Sequence, residues 1–76
     1  MSPERKERII NSMKNDENFF LSLNSNGGWK VCLTKYKDEE WARFWNLDIA
    51  LDSEVFDYYS DSTIIMTIYW DLCEGL

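Results

Sequence analysis

The chain contains no histidine, and its 76 residues include only two cysteines, three glycines and one proline. Without histidine it lacks the commonest general base and transition-metal ligand, which excludes ordinary Ser-His-Asp and Cys-His catalysis. Cys32 and Cys73 lie far apart and form no disulfide framework of the kind that staples small secreted domains. Each is expected to be a small packing residue, because neither has a local base to activate it. Gly27-Gly28 lacks the lysine and the helix start of a phosphate loop. The carboxylates between Asp48 and Asp61 lack the central glycine and the alternating spacing of a calcium loop. The longest apolar stretch, Ile64–Trp70, is much too short to span a bilayer. Met1–Lys14 is charged and has no apolar segment of signal-peptide length. A cytoplasmic protein with no cofactor and no metal is expected, and not an enzyme.

Charge is unevenly placed along the chain. Met1–Lys37 holds seven Lys/Arg and four Asp/Glu, whereas Asp38–Leu76 holds ten Asp/Glu and Arg43 as its one basic residue. The net charge is −6. The acidic half also carries eight of the twelve aromatics: Trp41, Phe44, Trp45, Phe56, Tyr58, Tyr59, Tyr69 and Trp70. Negative charge mixed with large rings suits a basic protein surface, since charge steers approach and rings anchor. The same surface repels nucleic-acid phosphates and anionic membranes.

The pattern of residues predicts an α+β fold in one small domain spanning residues 1–76, near the lower size limit for a self-sufficient core. Ser2-Pro3-Glu4 starts a helix, with Ser2 as cap and Pro3 at the first helical position. Ile9, Ile10 and Met13 then form an apolar stripe, and Asn15-Asp16 is a plausible stop. Phe19, Leu21 and Leu23 alternate with Phe20, Ser22 and Asn24, and after the Asn26-Gly27 turn Trp29, Val31 and Leu33 alternate with Lys30, Cys32 and Thr34. These two runs form a hairpin. A two-residue loop would set Leu23 opposite Lys30 and join unlike faces. A loop from Ser25 to Gly27 instead pairs Leu23 with Trp29, Leu21 with Val31 and Phe19 with Leu33, and places Gly27 in the left-handed position.

Asp38-Glu39-Glu40 is expected to open a second helix carrying Trp41, Phe44 and Trp45 on one core-facing side, ending near Asn46 or Leu47. Residues 47–59 admit two readings. Leu47, Ile49 and Leu51 alternate like a strand, while Asp52-Ser53-Glu54 can cap a short helix carrying Val55, Phe56 and Tyr59. Thr63–Trp70 is rich in β-branched residues and is expected to form a central strand, with a buried helix ending near Gly75 as the alternative.

The candidate partner-binding residues are Asp48, Asp52, Glu54, Asp57, Tyr58, Tyr59 and Asp61, an acidic run with rings embedded in it. In size and charge the chain resembles the nucleic-acid mimics and small inhibitors of phages and mobile elements, including anti-restriction and anti-CRISPR proteins. It is similar in bulk properties to nuclease immunity proteins. That likeness of composition implies an acidic inhibitor of a basic, nucleic-acid-handling protein, the five acids standing in for phosphates. The alternative is a homodimeric structural or adaptor module whose acidity serves solubility. A direct nucleic-acid binder would have to use Arg5, Lys6, Arg8, Lys14, Lys30, Lys35 and Lys37, against the field of the whole molecule.

Overall fold

In the computed structural model, which describes residues 1–74, the chain begins with helix α1, Pro3–Lys14. Ser2 Oγ accepts the Arg5 N–H at 3.2 Å, which satisfies one of the donors a helix start leaves open. Ile9, Ile10 and Met13 are the buried face. Asn15 ends the helix, its backbone N–H and its side-chain amide both donating to the Asn11 carbonyl.

Strands β1, Phe19–Leu23, and β2, Trp29–Leu33, pair antiparallel in the register that the hairpin loop dictates. Phe19 faces Leu33, Leu21 faces Val31 and Leu23 faces Trp29. Gly27 takes φ +86°, a conformation that costs a side-chain-bearing residue dearly. A two-residue strand β3, Trp45–Asn46, adds to β2 through Val31↔Trp45 and Lys30↔Asn46. The sheet order is β1-β2-β3.

The helix expected from Asp38 to about Asn46 does not form. Thr34–Tyr36 is a 3-10 turn, and isolated turn bonds such as Glu39 N–H to the Tyr36 carbonyl carry the chain onward. So short a helix gains too few hydrogen bonds to stand without tertiary support. Its three rings find separate partners instead: Trp41 lies against Tyr36, Phe44 meets Phe20 edge-on, and Trp45 joins the sheet. Trp41 and Phe44 are consequently exposed and not core residues, while Phe56 is buried. The segment covers Cys32, which lines a small recess with Tyr36, Ala42 and Leu72, and burial pushes its thiol pKa up.

Leu47–Leu51 is a short helix, α2, capped by Asn46 Oδ1 accepting the Ile49 N–H at 3.2 Å. Leu47 and Leu51, four apart, enter the core and Ile49 turns outward at 68% exposure, which a strand would not do. A 3-10 turn, Glu54–Tyr58, then buries Phe56.

The expected central strand at Thr63–Trp70 is a helix, α3, Asp61–Glu74. Ile64, Ile68 and Leu72 recur every fourth residue and are buried together, so the periodicity of the fold overrides β-branched preference. Ser60 caps it, its Oγ accepting the Thr63 N–H at 3.3 Å and its carbonyl the Ile64 N–H at 3.0 Å. The core joins Ile9, Met13, Val31, Leu47, Leu51, Ile64 and Ile68, all fully enclosed, from α1, the sheet, α2 and α3. The fold is α+β, with three helices on a three-stranded antiparallel sheet.

Candidate protein-docking surface

The acidic run from Asp48 to Asp61 does not stand apart from the basic N-terminal half; α1 lies against it. Arg5 Nε donates to Asp61 Oδ1 at 2.9 Å, and Arg8 Nε donates to Asp61 Oδ2 at 2.6 Å. The remaining nitrogens of Arg5 donate to the backbone carbonyls of Phe56, at 3.3 Å, and Tyr59. Lys6 pairs with Asp52, and the Met1 amine lies 3.1 Å from Asp57. Asp48 turns inward and accepts the Trp29 N–H. Its Oδ2 sits so near Gly28 that a Cβ there would come within 2.6 Å of it. Glu54 and the 88%-exposed Tyr58 face solvent, and Tyr59 tilts against Phe56. Four of the five acids are thus engaged within the fold, and two candidates, Glu54 and Tyr58, project freely.

The carboxyl of Asp61 is held below the usual range by its hydrogen bonds from Arg8 and Arg5, against a small opposing effect of burial. The Arg8 guanidinium is correspondingly raised by its hydrogen bond to Asp61. Because the folded pKa is the lower one, the contact stabilises fully above the unfolded value, near pH 4. Its contribution is lost as pH falls through the folded value. The urea midpoint of wild type should therefore exceed that of Asp61→Asn at neutral pH, and the gap should narrow steadily on acidification below about pH 4.

The basic residues that a nucleic-acid binder would use are similarly occupied. Arg5, Lys6, Arg8 and Lys37 are in ion pairs. Lys14 lies over Trp29 at 3.8 Å, Lys30 over Phe44 and Lys35 over Tyr36, near enough for cation–π contact.

The outer flank of α3 is absent from the partner-binding residues read from the sequence, which offered an exposed face of this segment, as a strand, only as an interface between two copies. A helix that buries Ile64, Ile68 and Leu72 would ordinarily be polar on its other side. Here the other side carries Met66 and Trp70, 59% and 57% exposed, next to half-buried Ile65, Tyr69 and Cys73. Tyr69 stands edge-on to both Phe19, at 6.1 Å, and Trp70, at 5.5 Å. Two shallow grooves flank it. One of about 210 Å³ is lined by Asp16, Asn18, Phe19, Ile65 and Met66, and one of about 400 Å³ by Glu17, Asn18, Leu33, Thr34 and Lys35. Only a helical reading of residues 61–74 separates these side chains from the core set, which is why the flank was not legible from a strand.

Comparison with known proteins returned no matching family model, no matching curated protein and no matching solved structure. Function has to be argued from the surface.

Proposed function

We propose that this chain is a small acidic protein-binding inhibitor, which docks on a basic, nucleic-acid-handling protein and occupies its nucleic-acid site. One observation carries the proposal. Among the described residues, ten carboxylates stand outside ion pairs, against four basic side chains, Lys14, Lys30, Lys35 and Arg43. The excess is negative after all internal pairing, so the molecule attracts basic surfaces and repels phosphates. Exposed rings, Tyr58, Trp41 and Trp70 among them, supply the apolar contact that charge alone lacks. On these grounds the chain works by binding.

The test is competition. A basic protein captured by the chain at low salt should be released as salt rises, and its complex with nucleic acid should dissociate when the chain is added. Neutralising Glu39, Glu40 and Glu54 to Gln, which breaks no ion pair, should slow association first. Captured partners that keep their nucleic acid in the presence of saturating chain would end the proposal.

The homodimeric adaptor is favoured by a different observation, the apolar flank of α3. Sedimentation across micromolar concentrations separates the two: a strict monomer removes the dimer.

A further inference from the structure

We infer that the flank of α3 carrying Ile65, Met66, Tyr69 and Trp70 is the docking surface, and that it takes the apolar face of a basic amphipathic helix presented by the partner. The inference rests on the proposed binding of a basic protein, and it moves the contact away from the acidic run at residues 48–61, whose carboxylates are mostly engaged within the fold, by α1, the Met1 amine and the Trp29 N–H.

Two observations choose the occupant. The first is shape. Met66 and Trp70 lie one helical turn apart on an exposed flank, Met66 lines the smaller groove, and Tyr69 lines both grooves. A ridge between grooves matches a helix whose apolar side chains recur at i, i+3 and i+4, the helix-in-groove mode of recognition. Tyr69 is braced by Phe19 and Trp70, so it meets a ligand already ordered, which lowers the entropy lost on binding.

The second is charge. Asp16 lines the smaller groove and Glu17 the larger one, while Asp71 and Glu74 lie on the remaining side of α3. Lys35 is the basic residue at this surface, on the larger groove, its ammonium over the Tyr36 ring. An acidic margin around an apolar stripe complements a helix with Lys/Arg beside its apolar face. A second copy of the chain would bring the same four carboxylates against their own counterparts, which like-charge repulsion disfavours. Nucleic acid meets the same repulsion.

The experiment is an amide NMR titration of the full chain with two synthetic peptides of identical composition. One is a Lys/Leu helix with Leu at i, i+3, i+4 and i+7; the other is its scramble without an apolar face. Saturable shifts should gather at residues 16–19 and 65–73 with the amphipathic peptide, and the scramble should bind more weakly. Met66→Ser and Trp70→Ser, both at exposed positions, should keep the wild-type fold, with amide shifts confined to the neighbourhood of the substitution, yet weaken binding by roughly tenfold or more, as loss of an interface anchor does. Shifts centred on residues 48–61, or equal affinity for the scramble, would overturn the α3 surface and leave binding to basic proteins standing. Concentration-dependent shifts at residues 65–73 without peptide, together with a sedimenting dimer, would overturn it in favour of a second copy. No saturable binding of the amphipathic peptide would overturn it outright. The broader proposal is decided separately by the competition assay, so either can fail alone.

Discussion

Ile68→Ala should cost about 2–5 kcal/mol of folding stability, read as a lower urea midpoint at unchanged slope. Ile68 has no solvent exposure and sits midway along α3, between Ile64 and Leu72, in the one core that unites α1, the sheet and both other helices. Truncating it removes buried methyl and methylene groups and leaves a cavity that neighbours on three elements cannot all relax to fill. A domain of this length has roughly 4–11 kcal/mol of total stability, so the variant should lose a large share of it. Met66→Ala, two residues away but exposed, should leave the midpoint nearly unmoved. That contrast separates the two faces of α3. Equal losses at 66 and 68 would mean that the outer flank is packed, and the docking proposal would go with it.

Arg5→Ala should be the second largest loss, about 2 kcal/mol. The Arg5 guanidinium is mostly buried, and it joins three acceptors, the Asp61 carboxylate and the carbonyls of Phe56 and Tyr59. Arg5→Lys should recover little of this, because an ammonium cannot span the planar fork those acceptors define. Arg8 contacts Asp61 from an exposed position, so Arg8→Ala should be close to silent. Thermal melts of the three variants against wild type give the ranking directly. If Arg5→Ala and Arg8→Ala melt together, the carbonyl bonds contribute nothing and the contact is an ordinary surface ion pair.

How much of this was legible in the sequence depended on whether neighbouring residues decided the matter. The hairpin register was, because side-chain parity across β1 and β2 admits only the Ser25–Gly27 loop, and Gly27 supplies the positive φ it needs. The start of α1 was, because Ser2, Pro3 and Glu4 each favour it for a separate local reason. Residues 64–70 were not. They are apolar in nearly every direction, so periods of two and of four fit equally, and β-branching tipped the choice toward strand. The deciding signals lay outside the run, in the Ser60 cap and in Leu72 one turn beyond Ile68.

The stretch from Asp38 to Asn46 failed for the opposite reason. Its three rings keep helical spacing by coincidence, and distant partners such as Phe20 and Val31 claim them separately. The acidic run was visible as an acidic run. What its charges face was not, since Asp61 meets Arg5 and Arg8 from more than fifty residues away.

That separation has a consequence for how the protein is made. The packing of α1 cannot be completed until α3 has been made, because α1 and α3 share one core and the Arg5–Asp61 contact joins them. At translation rates of about 5–20 residues per second, the interval between the end of α1 and the end of α3 is on the order of 3–12 seconds. Throughout it Ile9, Ile10 and Met13 lack the α3 side chains that complete their cover. During that interval the nascent chain exposes part of the apolar face of α1, and the core closes only once α3 has emerged.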